Sequence, residues 1–142
     1  MIWGLLLVLL AGFALLAVVT RGRSKPRSGG VSRGTIDYDL VRARWQTIEQ
    51  MATESGSGLR NAVSEADKLL DYALKQLGTP GETMAERLKR VEGRLSHKED
   101  VWQAHKLRNH LAHEVSFDLV ASHAKGALAA FGQALRDLGA LR

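Results

Sequence analysis

Residues 101–114, VWQAHKLRNHLAHE, decide how this chain is read. Set on a helix at 100° per residue with His105 at zero, Val101, Ala104, Leu107, Leu111 and Ala112 fall between roughly 200° and 340°. That arc is the core-facing stripe of an amphipathic helix. Arg108 sits at about 300°, inside the stripe. Asn109, Trp102 and His113 cluster elsewhere, between about 40° and 80°. A cation on a buried stripe is costly unless it is paired or lies at an interface or cleft. Chemistry is therefore expected on this helix.

Working outward, the segments on both sides carry the same helical period. Ser96 with Glu99 fits a capping box that starts the helix of residues 101–114, and Ser116 is the expected cap of the next one. In that last helix Val120, Ala124, Ala127, Leu128, Phe131, Ala134, Leu135 and Leu138 form the stripe. Upstream, the clearest pattern runs from Leu59 through Ala62, Val63, Ala66, Leu69, Leu70, Ala73 and Leu74 to Leu77, with Gly78 as the expected helix end. A short helix follows, with Met84, Leu88, Val91 and Leu95 on its apolar face. Its start is capped either by Thr79 ahead of Pro80 and Glu82 or by Thr83 with Glu86. The first helix opens at residues 35–38 and runs to about Glu54. It presents Leu40, Val41, Trp45, Ile48 and Met51, and Ser55-Gly56-Ser57-Gly58 breaks it. No segment alternates with period two, so the expected class is all-α: a bundle of four or five helices over residues 35–142.

The chain has 142 residues, room for one domain and something small. Residues 1–20 are that small part. Residues 2–19 carry no charge and are mainly Leu, Val and Ala, a run reaching about 30 Å as a helix, the thickness of a bilayer's hydrocarbon core. No basic region precedes the run and no small-x-small cleavage site follows it, so a retained transmembrane helix is expected rather than a cleaved signal peptide. Arg21, Arg23, Lys25 and Arg27 follow at once, which puts the N-terminus outside and the helical domain in the cytoplasm. Residues 21–34 read as a flexible basic tether lying on anionic lipid. Its five basic residues account for the whole net charge of +5, so the bundle itself is formally neutral and carries no overall nucleic-acid footprint. The chain has no cysteine, which excludes a disulfide framework.

Arg108-Asn109-His110-Leu111-Ala112-His113 resembles the R-x(4–6)-H motif of the HEPN family of all-helical domains, with a polar residue directly after the arginine. The resemblance covers roughly residues 37–142. It implies a motif late in one helix of a short bundle, with two copies facing each other across a homodimer. Active members of that family are metal-independent ribonucleases, and many others are non-catalytic partners or scaffolds. A second match to the bare pattern, Arg90 to His97, straddles an expected helix boundary.

The implied chemistry is physically coherent. Cleavage of RNA without a metal needs a base for the 2′-hydroxyl, which suits His113, and a cation for the developing phosphoryl charge, which suits Arg108. Arg108 and His113 are about 140° apart on one helix, so two helices meeting across a dimer are needed to aim both at one phosphate. Asn109 shares a face with His113 and is expected to orient its ring or to contact the phosphate.

Structural explanations stand beside these. Arg108 pairs with a core-facing acid such as Asp67 or Asp71, or His113 serves its own helix end, where the dipole favours a cation. His105 and His110 are expected to be solvated, and Trp45 and Trp102 to be core or dimer anchors. A metal site from His110, His113 and Glu114 lacks any supporting Cys or His cluster, so no cofactor is expected. Two functions follow: a membrane-anchored endoribonuclease acting through Arg108 and His113 with Asn109, or a non-catalytic interaction domain binding RNA, a nucleotide or a protein partner.

Overall fold

A computed structural model describes residues 35–142 apart from residues 55, 115 and 117. Among these residues every regular element is helical: α1 (Tyr38–Met51), α2 (Ser57–Gln76), α3 (Met84–Val91), a 3₁₀ turn (Glu92–Arg94), α4 (Lys98–His113) and α5 (Ala121–Asp137). The chain is therefore an all-α helical bundle over its described part. The membrane span and basic tether expected in residues 1–34 lie outside the described residues. Among the described residues no helix is long and apolar enough to cross a membrane.

Helix α2 is the hub, packing against α1, α3, α4 and α5. The reason is legible in its composition. Leu59, Ala62, Val63, Ala66, Leu69, Leu70, Ala73 and Leu74 are all buried, so its apolar surface spans more than one neighbour's width. Gly78, at φ 70°, ends it: Gly78 N–H donates to the Lys75 carbonyl at 2.9 Å and Thr79 N–H to the Leu74 carbonyl at 3.0 Å. Gly139 ends α5 by the same device, its φ of 72° aiming the Ala140 N–H at the Leu135 carbonyl.

Two helix starts fall where the sequence places them and two differ. Helix α1 begins at Tyr38, within the expected 35–38 window, capped by Asp37, whose Oδ1 accepts from Leu40 N–H at 2.9 Å. Thr83, not Thr79, caps α3, accepting from Glu86 N–H at 3.2 Å. The Glu86 carboxylate closes the box on Glu82 N–H at 2.8 Å. Ser96 caps nothing: its hydroxyl and its N–H both donate to Asp137 Oδ2, at 2.7 and 2.8 Å, so α4 starts at Lys98, after His97, without a side-chain cap. Nor does Ser116 cap α5, which starts after Val120, a residue that is 50% exposed rather than part of the core. In both cases a tertiary contact or chain path overrode a local motif of modest energy.

The Ser96–Asp137 bonds join the start of α4 to the end of α5, so these two helices run antiparallel. At the other end of α4, Arg60 of α2 donates from Nη2 to the Leu111 carbonyl at 2.7 Å and to the Glu114 carbonyl at 2.9 Å. A guanidinium here satisfies carbonyls that have no partner within the helix and meets the negative end of its dipole. Helix α4 is thus pinned at both ends, which fixes where its polar residues fall.

Candidate functional site

The polar residues of α4 meet α2 in a small closed network. Asp67 of α2 is 3% exposed. Its Oδ1 lies 2.7 Å from His105 Nδ1, and its Oδ2 lies 3.3 Å from Arg108 Nε. Arg108 Nη1 donates to Asn109 Oδ1 at 3.1 Å, and Asn109 Nδ2 faces His105 Nε2 at 3.4 Å. The ring closes when His105 carries its proton on Nδ1, so that Nε2 accepts from the Asn109 amide. Each of the four side chains then has a partner on either side, and no buried side-chain nitrogen or oxygen among the described residues lacks one.

Helical spacing explains why these residues converge. His105, Arg108 and Asn109 stand three and four positions apart on α4, one turn's worth of a single face. Asp67 stands on the face of α2 that meets it. One turn along, Asp71 does the same for α3: Arg87, itself 5% exposed, places Nε 2.8 Å and Nη2 2.7 Å from Asp71 Oδ1. Arg87 Nη1 also donates to the Gly81 carbonyl at 2.6 Å, and Lys75 lies 2.6 Å from the other Asp71 oxygen. Two carboxylates four residues apart therefore each dock a neighbouring helix through an arginine.

Arg87 was not singled out from the sequence, although it carries the same mark as Arg108. It falls between Met84 and Val91 at helical spacing, on an apolar stripe. Arg87 and Arg108, each on an apolar stripe, are both paired with a carboxylate of α2. Of the two acids considered for Arg108, Asp67 is the partner and Asp71 is taken by Arg87.

His105 is the larger departure. Expected to be solvated, it is 9% exposed and hydrogen-bonded, because at the edge of the α4 stripe it faces Asp67 rather than water. Ala112 departs the other way. It lies on the stripe by angle yet is exposed, as are His113 and Glu114, since the last turn of α4 is left uncovered. His110 is exposed as expected, its Nδ1 3.1 Å from Glu114 Oε1. Trp45 is a core residue, its indole N–H donating to Glu49 at 2.8 Å. Trp102 is half-buried, edge-on to His105 with ring centres 6.3 Å apart. The Glu92 carboxyl is held below the usual range first by Lys89 and, less strongly, by the Trp102 indole.

Arg108 is thus held against Asp67, with 29% of its side chain exposed. His113 is exposed on the last residue of α4 and shares a shallow depression of about 320 Å³ with Lys106, Asn109, His110 and Glu114. The histidine within hydrogen-bond distance of the Asn109 amide is His105 rather than the expected His113. A larger groove of about 890 Å³ runs between α4 and α5, on the side of α4 that carries Leu107. Among the described residues no three His, Asp or Glu side chains are grouped so as to hold a metal ion.

Comparison of the chain with models of protein families, with curated proteins and with solved structures finds no match in any of the three.

Proposed function

We propose that this chain is a membrane-anchored, non-catalytic helical interaction domain of the HEPN-like type, held by residues 1–20 with the bundle in the cytoplasm. The observation that carries this reading is the pairing of Arg108 with Asp67. A ribonuclease needs that guanidinium at the reacting phosphate, where its charge stabilises charge developing on the oxygens. Here the charge is met by a carboxylate from its own bundle, as that of Arg87 is met by Asp71. The formal neutrality of the bundle adds support, since binding dominated by phosphate contacts leaves a basic footprint.

The second reading is a metal-independent endoribonuclease in which Arg108 of one copy and His113 of another act across a homodimer. One observation favours it: both side chains retain exposed surface that a second copy can reach. Incubating the full chain in lipid nanodiscs with labelled RNA in chelator separates the two. The interaction reading expects no cleavage above that of His113→Ala, a variant that leaves the buried network intact. Cleavage by the wild type that His113→Ala abolishes overturns it. For topology, reporter fusions at Gly34 and Arg142 are expected to report cytoplasm, and an external signal from either reverses the orientation.

A further inference from the structure

The groove between α4 and α5 has a shape and a charge pattern that no element of the described chain uses. Its lining extends from residue 97 to 110 on one side and from 122 to 136 on the other, about 20 Å along each helix at 1.5 Å per residue. That is the length of a helix of about four turns, not of a small metabolite. The floor is apolar and buried, formed by Ala104, Ala127 and Ala130, with Leu107 half-buried beside them. Along α5 the groove-lining positions Ser122, Gly126 and Ala129 are small, so an incoming helix can approach closely.

The rim is unevenly charged. Lys106 on α4 and Arg136 on α5 are exposed and have no carboxylate partner among the described residues. His97, with Asp100 beside it, His110, with Glu114 beside it, and His123 lie along the same rim. An apolar floor between cationic edges is complementary to a helix with an apolar stripe flanked by Asp and Glu.

Two occupants from this chain fit poorly. A second copy seated by two-fold symmetry sets this basic rim against itself, because an isologous contact pairs a patch with its own duplicate. Residues 1–34 contain no acidic residue at all. We infer that the α4–α5 groove is the seat of an acidic amphipathic helix of a partner protein. This assignment rests on the interaction reading above and names its surface and partner chemistry.

Gly126 supplies a clean test. A Cβ built there meets nothing within 4 Å, so a larger side chain fills the groove without disturbing the core. The probe is a fluorescein-labelled peptide of about 18 residues, five helical turns, with leucines at i, i+3, i+4 and i+7 and glutamates beside them. Its anisotropy is measured on the full chain in phosphatidylcholine nanodiscs, against empty nanodiscs. Saturable binding is expected, weakened about tenfold or more by Gly126→Glu and by Lys106→Glu with Arg136→Glu, and by added salt. Circular dichroism is expected to show Gly126→Glu as helical as wild type. No binding, equal binding of a peptide with lysine in place of glutamate, or binding indifferent to Gly126→Glu overturns the proposal. So does a dimer of the chain alone that Gly126→Glu dissociates, which makes a second copy the occupant. Failure of the peptide leaves the RNA test unchanged, so the loss of this proposal is distinguishable from the loss of the interaction reading.

Discussion

At the scale of single residues the decisive group is Asp67, because it is buried and three other polar side chains depend on it. Removing one partner of a buried charge pair leaves the other without its compensation, which costs more than the pair contributes net. Asp67→Ala is therefore expected to lower stability by about 2–4 kcal/mol, measured by urea unfolding. A double-mutant cycle of Asp67→Ala with Arg108→Ala should show strong coupling, and additive losses would mean that the two do not depend on each other. Two glycines of α5 should behave oppositely. A Cβ on Gly132 would lie 2.6 Å from Trp45 Cζ2, so Gly132→Ala forces the indole or the helix to shift. A loss of about 1–3 kcal/mol is expected there. Gly126→Ala, facing open space in a helix interior, should instead stabilise by up to about 1 kcal/mol. Thermal melts of the two variants that move in the same direction would contradict the packing described here.

Between elements, the polar contacts do what the apolar stripes leave undone, which is to set register. Asp137 at the end of α5 holds Ser96 ahead of α4 and also accepts from Gln133 at 2.8 Å. Burial pushes the Asp137 carboxyl up, but this is outweighed by the Ser96 N–H, the Gln133 amide and the Ser96 hydroxyl, with His97 adding attraction, so it sits below its ordinary value of 3.8. A depressed folded-state value means the carboxylate favours folding above the unfolded value, and that this contribution is lost as pH falls through the folded one. Asp137→Asn, which resembles the protonated acid, should thus cost about 1 kcal/mol at pH 7. The gap should close on acidification below 3.8. A difference that stays constant down to pH 2 would show that charge plays no part. Local motifs were read well where they had no tertiary competitor. Thr83 with Glu86 caps α3, Gly78 ends α2, and Gly56, part of the expected break at residues 55–58, lies between α1 and α2, whereas Ser57 and Gly58 already belong to α2. They failed at Ser96, where a carboxylate 41 positions away in sequence offered two hydrogen bonds in place of one.

For the molecule as a whole, α2 touches each of the other four helices, and its amides should exchange only on global unfolding. The exposed end of α4, Ala112 and His113, should exchange fastest among the helical segments, and native-state hydrogen exchange reads both. Protection in α3 that equals protection in α2 would argue against a hub. The sequence by itself determined the all-α class, the stripes and the inward placement of Arg108, because a period of 3.6 and the cost of burying charge are local properties of the chain. It also pointed to core-facing acids such as Asp67 and Asp71, one turn apart on α2, as structural partners for Arg108. Only the tertiary structure chose Asp67, gave Asp71 to Arg87, buried His105 and left the basic-rimmed groove between α4 and α5 open. Each of those outcomes depends on the relative rotation and offset of two helices. Many residues far apart in sequence fix these together, and no single stripe encodes them.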